Sequence, residues 1–325
     1  MKRLLVVIIV AALAYGGWWF YAAHAMRTET AAWFADQRAK GWQADYADLT
    51  VRGFPNRTDL TITEPVLISP DGSLGWRAPF FQVLGLSYRQ GHVIVAWPDT
   101  QTITTPAGET TVRPDGLRAS VIHDDDALVR SNVEAAVLNI TGPDQAVAMA
   151  EVNAALQRID LSQSSYRLAV SVGSIAATTP RVSADIGPDS LGSLRAQMNV
   201  TFEDPLTLDG LADPTPRLRS VDLTRSEISY GPVTFQVTGA ATFDDQGRAT
   251  GEIDIAADNW REGLEAARQN GDLPAEMVDL LAEMLSMLAM FNGTRDSLDV
   301  TLGLERGTVL LGPVPVGKLP PLSWR

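Results

Sequence analysis

The sequence predicts a mainly β protein of the α+β class, with curved antiparallel sheets and a few helices, preceded by one N-terminal transmembrane helix. Three observations predict it. Leu194, Ala196, Met198, Val200 and Phe202 alternate strictly with Arg195, Gln197, Asn199, Thr201 and Glu203, which describes a strand with one buried and one wet face. The same texture recurs along the chain, and one wet face per strand marks antiparallel sheet, because parallel strands are covered on both faces. Leu4 to Ala23 runs for twenty residues without a charge, the length that crosses a bilayer.

The apolar run sits between Lys2-Arg3 and a cluster of Trp18, Trp19 and Tyr21. Cations at its start and an aromatic belt at its end predict a cytoplasmic N-terminus and an exported body. Residues 1–25 are therefore read as an anchor through residues 4–23. Ala23-His24-Ala25 also matches the small-x-small pattern that precedes a signal-peptide cleavage site, but the run is longer than a usual signal core. Residues 26–43 read as a membrane-proximal helix, with Ala31, Trp33, Phe34 and Ala35 among Glu29, Asp36, Arg38 and Lys40, stopped by Gly41.

Residues 44–325 form the β-rich body. Leu49 and Val51, then Leu60 and Ile62, flank a turn at Gly53-Phe54-Pro55. Short β-type runs follow at 93–97, 117–121 and 133–140, separated by Pro, Asp and Gly punctuation. Tyr166 to Val172 alternates, as do Val233 to Phe243 and Ala249 to Ile255 on either side of the turn Asp244 to Gly247, and Leu298 to Leu304 before Thr308 to Leu311. Three helices are expected in the body. One spans Ala146 to Ile159, with Val152, Leu156 and Ile159 on a stripe. A second runs from Trp260 to Asn270, and a third from Pro274 to Phe291, closed by Asn292-Gly293. The strand-rich halves divide near 144–165.

Composition excludes whole classes of chemistry. There is no cysteine, and three histidines stand far apart at 24, 92 and 123. Thiolate nucleophiles, disulfides, Cys-containing zinc sites and helical His pairs are therefore ruled out. The 26 Lys and Arg against 39 Asp and Glu give a net charge of −13; without Lys2 and Arg3 the exported part has 24 against 39, or −15. Such a surface repels nucleic acid. Gly312 to Lys318 fits the start of a P-loop, but Leu319 stands where Ser or Thr should meet magnesium, and Pro313 and Pro315 remove backbone donors. The segment reads instead as an extended, Pro-rich strand. His123-Asp124-Asp125-Asp126 lacks calcium-loop spacing and reads as a solvated turn. No nucleophile elbow occurs. No cofactor, no metal and no catalysis are expected.

Gly53-Phe54-Pro55-Asn56-Arg57, the following Asp59 to Pro65, Gly75-Trp76-Arg77-Ala78-Pro79 and the tail Gly307 to Pro321 resemble the proteobacterial family known as domain of unknown function 2125. The resemblance covers most of the chain after the anchor. It implies an inner-membrane-anchored envelope protein with its body in the periplasm, and supplies no catalytic residues. The passage 257–271, Ala-Asp-Asn-Trp before a short helix and Gly, is similar to AsmA-like envelope proteins, a resemblance that implies lipid transfer or outer-membrane homeostasis.

The expectation for function is a non-catalytic binder or carrier of a lipid or other apolar envelope component; the alternative is a scaffold that holds protein partners in the envelope. Trp76, Trp97 and Trp260 lie in or beside strands, where a Trp-lined groove suits acyl chains. Met277, Leu281, Met284, Leu285 and Leu288 form the apolar face of the third helix and would cover such a groove. For each of these residues ordinary core packing is the competing reading.

Overall fold

Why the N-terminal helix extends well past the membrane segment is visible in its sequence: no Pro or Gly interrupts it between Trp18 and Lys40. A computed structural model of the protein describes residues 2–125, 127–160, 164–178, 192–207, 216–270, 279, 282–283, 285–286 and 297–322. In it α1 spans Lys2–Ala39 without a break, and its first half is long and apolar enough to cross a membrane. The chain divides into two compact units. Unit 1 comprises Met1–Asp125, Ser131–Ala148 and Ala177–Val182; unit 2 comprises Asp126–Arg130, Met149–Ala176 and Ser183–Arg325.

In unit 1, α1 is followed by β1 (Gln43–Asp45), β2 (Asp48–Arg52), β3 (Arg57–Thr63), β4 (Val66–Ile68), β5 (Gly75–Arg77), β6 (Phe80–Leu86), β7 (Arg89–Ala96), β8 (Gln101–Thr105), β9 (Gly108–Asp115) and β10 (Arg118–Asp124). β11 (Ala127–Thr141) and β12 (Ala146–Asp160) come next, and each contributes residues to both units. Among the described residues the unit 1 strands pair antiparallel in two runs. One run is β2, β3, β6, β7, β10; the other is β1, β4, β5, β8, β9, β11.

The second half of α1 closes the core of unit 1. Phe34, 2% exposed, packs with Ala44, Leu49, Leu60 and Ile62 and meets Tyr46 edge to face at 4.8 Å. Arg38 fastens the helix end, donating to the Ala44 carbonyl at 2.7 Å beside Asp45 at 3.6 Å. Lower down, the Gly53 to Arg57 loop clasps the apolar half. Trp19 Nε1 donates to the Arg57 carbonyl at 2.8 Å, and Tyr15 Oη and Ser87 Oγ both donate to the Pro55 carbonyl, at 2.8 and 3.0 Å. Gly53 has φ +109°, and a Cβ there would stand 2.6 Å from that of Arg57; only glycine closes the loop without strain. Trp18 and Tyr21 stay exposed as a belt would, but Trp19 is buried beneath the loop.

Unit 2 is a meander. β13 (Ser165–Thr178), β14 (Gly192–Phe202), β15 (Leu218–Tyr230), β16 (Val233–Phe243), β17 (Ala249–Asp258), β18 (Ser297–Glu305), β19 (Thr308–Leu311) and β20 (Val314–Lys318) pair in chain order, each antiparallel to the last. Ala196 and Val200 of the alternating segment are buried as the pattern requires. α2 (Trp260–Asn270) leaves β17 after Asn259 and puts Trp260 into a small core with Ala257 and Leu298. Of the segment Gly312 to Lys318, Val314–Lys318 is extended as expected and forms the exposed strand β20, whereas Gly312, at φ +58°, and Pro313 make the turn before it.

One expected helix is a strand. Residues 146–159 lie in β12, not in a helix. Glu151 has φ +54°, which inserts one residue and switches the side-chain parity. Val147 and Met149 lie inward before it; Val152, Ala154, Leu156 and Arg158 lie inward after it, while Asn153, Gln157 and Ile159 face out. The parity switch makes a two-residue period resemble a helical stripe. Ile159, expected inside, is 48% exposed. Of the helix expected over 274–291, only Asp279, Ala282, Glu283, Leu285 and Ser286 are among the described residues, and those five are helical.

Candidate functional site

The two strand runs of unit 1 and the second half of α1 line an open cavity of about 630 Å³. Its walls follow from the register. Leu67 on β4 lies opposite Trp76 on β5, which lies opposite Ile103 on β8. The turn between β4 and β5 is held by Asp71, which accepts from Ser69 Oγ at 2.6 Å, Ser73 Oγ at 2.8 Å and the Ser73 amide at 3.0 Å. Those donors stabilise the carboxylate and hold its pKa down from the ordinary 3.8 to about 2. The turn keeps this support at neutral pH and loses it only as pH falls from the unfolded carboxyl range toward that value.

Trp76, Phe81 and Trp97 form a row of edge-to-face rings, with centroids 5.8 and 5.5 Å apart. Trp76 Nε1 donates to Gln101 Oε1 at 2.7 Å, and Gln101 is buried. The indole's one polar atom is thereby satisfied and its ring edge is left as cavity wall. Opposite stand Leu60, Ile62 and Val83 of β3 and β6, and α1 supplies Phe34, Trp33, Thr30 and Glu29. Trp33 is 43% exposed. Thr30 Oγ1 donates to the Met26 carbonyl of its own helix at 2.8 Å, and among the described residues lining the cavity Glu29 brings the one carboxylate. The volume falls in the range of ordinary ligand pockets, and an apolar lining with few polar groups is the usual pattern of such sites.

The structure divides the residues that the sequence singled out. Trp76 and Trp97 line this cavity of unit 1 together. Trp260 and Leu285 line a smaller one of about 250 Å³ in unit 2, with Tyr230, Phe235 and Leu298. There the Arg261 guanidinium lies 4.5 Å over the Trp260 ring, whose buried Nε1 has no hydrogen-bond partner. Met277, Leu281, Met284 and Leu288 lie outside the described residues. A third cavity of about 360 Å³ lies on β15 to β17 under Leu319, Pro320 and Leu322 of the C-terminal tail.

Sequence reasoning missed the contribution of α1. Trp33 and Phe34 were legible as the apolar side of a helix, and their i, i+1 placement allows one to close the core while the other stands at the cavity rim. Phe81 and Val83 follow the two-residue period of β6, a signal too short to single them out.

Among the described residues no group of three or more His, Cys, Asp and Glu is placed to hold a metal ion. His92 Nε2 lies 2.9 Å from Ser120 Oγ across β7 and β10, but neither residue lines any of the three cavities. His123 Nδ1 meets the Asp125 carbonyl in the turn before residue 126.

The model of one protein family, described as an uncharacterized protein conserved in bacteria (DUF2125), matches residues 19–320. That span takes in Trp19 and the Gly53 to Arg57 loop, though not Tyr15, and every residue lining the 630 Å³ cavity. No curated protein and no solved structure matches the chain, and the resemblance expected between the 257–271 passage and AsmA-like proteins is not shown by any comparison.

Proposed function

The chain belongs to the DUF2125 family of bacterial proteins, and on that premise we propose that it is an inner-membrane-anchored envelope protein, with its body in the periplasm, that binds or carries a lipid. Its acyl part would occupy the unit 1 cavity. The observation that carries the reading is where that cavity opens along α1. Glu29 is 25 residues beyond Leu4, roughly 37 Å at 1.5 Å per residue, against a hydrocarbon core of about 30 Å. The cavity rim therefore stands just past the hydrocarbon, at headgroup level, where a lipid tail entering it has the shortest path out of the leaflet.

Binding without catalysis fits this lining. Burial of each methylene contributes about 0.8 kcal/mol, so an acyl chain needs no polar contact to be held. Glu29 at the rim favours a headgroup with a cationic or hydrogen-bond-donating part over a bare phosphate.

Native mass spectrometry of the full chain, extracted from membranes and exchanged into a detergent that strips annular lipid, tests the reading. A stoichiometric retained lipid is expected. A clean mass without lipid, and without uptake of added phospholipid, would contradict it and leave the scaffold reading, which the acidic exported surface favours through its reach for cationic partners.

A further inference from the structure

The clasp around α1 lies at a depth where a water-soluble loop does not belong. From Leu4 to Trp19 is 15 residues, roughly 22 Å of helix, so Trp19 stands about 8 Å short of the far edge of a 30 Å hydrocarbon core. Tyr15 lies deeper still, and any tilt of α1 lowers both. Yet Trp19 and Tyr15 are the residues that the Gly53 to Arg57 loop and Ser87 hold.

The chemistry of the clasp suits that depth. Irregular backbone in a bilayer is tolerated only where its polar groups find protein partners, and here the carbonyls of Pro55 and Arg57 take the hydroxyl and indole donors of α1. Phe54 stacks on Phe20 at 5.6 Å and meets Trp19 edge to face at 5.4 Å, yet remains 52% exposed. The neighbouring turn between β6 and β7 carries Leu86 and Tyr88, 37% and 72% exposed. In a water-facing loop these three side chains would form a costly apolar tip. Arg52, Arg57 and Arg89 flank the two turns, all exposed, with Arg57 and Arg89 both opposite Leu86 in the register and Asp59 paired to Arg57 at 2.9 Å. Arginines beside an aromatic tip, on an otherwise acidic chain, are the pattern of a surface that enters a leaflet while its long cationic side chains reach back to the phosphates.

We propose that the Gly53–Arg57 loop and the Leu86–Arg89 turn are seated in the bilayer leaflet on the body's side. Phe54 and Tyr88 lie among acyl chains there, and the side chains of the three arginines reach back to phosphate level. The partner is the lipid surface that α1 itself crosses. Seating the tip fixes how unit 1 stands on the membrane, which a single helix alone leaves free to swivel.

The chain has no cysteine, so a single introduced thiol can be labelled uniquely. Full-length Phe54→Cys and Tyr88→Cys, each carrying an environment-sensitive fluorophore, are reconstituted into phosphatidylcholine–phosphatidylglycerol vesicles containing acyl-chain nitroxide lipid. Leu13→Cys in the membrane segment and Asp245→Cys, at an exposed hairpin of unit 2, are the references. The expected result is blue-shifted emission at 54 and 88 and quenching by lipid nitroxide comparable to position 13, with none at 245. Quenching at 54 and 88 by aqueous iodide, with position 13 still lipid-quenched, overturns the seating and leaves the anchor standing. Protection of 54 and 88 from both quenchers places a protein on the tip and also overturns it. Loss of lipid quenching at position 13 removes the anchor itself, and with it the proposed function. Tyr88 is 72% exposed from the protein, so its substitution leaves the fold intact should Phe54→Cys disturb the clasp.

Discussion

Phe34→Ala is expected to lower the melting temperature of the detergent-solubilised chain by roughly 6–20 °C. The side chain is 2% exposed and sits where α1, β1, β2 and β3 converge. Removing a buried phenylalanine costs about 3–5 kcal/mol, through lost transfer energy and the void left behind. In domains of this size each kcal/mol moves the midpoint by about 2–4 °C. The site collapses poorly because its neighbour on one side is already the 630 Å³ cavity. Circular dichroism at rising temperature checks the shift. Trp33→Ala, one residue earlier and 43% exposed, serves as the comparison and should stay within about 2 °C, the scale of a surface substitution. If Phe34→Ala did no more than that, α1 would not be part of the unit 1 core.

Val83→Trp is expected to reduce retained lipid by about tenfold or more while the chain stays folded. Val83 is half-buried on β6 and faces the cavity beside Phe81. An indole at this position projects into empty space, so overpacking strain stays below the few kcal/mol seen in filled cores. Each methylene of ligand it excludes removes about 0.8 kcal/mol of binding, and two displaced methylenes already exceed the 1.4 kcal/mol that corresponds to a factor of ten. Lipid recovered per mole of variant, set against the parent chain at equal melting temperature, gives the ratio. Unchanged recovery would place the lipid somewhere other than this cavity.

How legible the molecule was in its sequence depends on which signal each part carries. The meander of unit 2 was readable because Leu194 to Glu203, Val233 to Phe243 and Leu298 to Leu304 each keep a clean two-residue period with one wet face. β12 was not, because Glu151 in a left-handed conformation shifts the parity halfway and alanines on both sides satisfy a helix equally well. Trp76 and Trp97 stood out by residue type, and the fold brings them to one wall. Their cover could not be read from the sequence: Trp33 and Phe34 belong to a helix whose apolar side fits bilayer interface and protein core alike. The Gly53-Phe54-Pro55 motif was visible as a turn, but its clasp on Tyr15 and Trp19 joins positions about 40 residues apart, which periodicity does not report.

The central claim is that the unit 1 cavity, and not only the bilayer around α1, receives a lipid chain. Photo-crosslinking with a phospholipid whose acyl chain carries a diazirine, applied to the full chain in its native membrane and mapped by peptide mass spectrometry, tests it most directly. Adducts on β5 and β6, on the peptides holding Trp76, Phe81 and Val83, are the predicted result. Adducts confined to residues 4–23 would mean that the chain meets lipid only as solvent for its anchor, and would contradict the account.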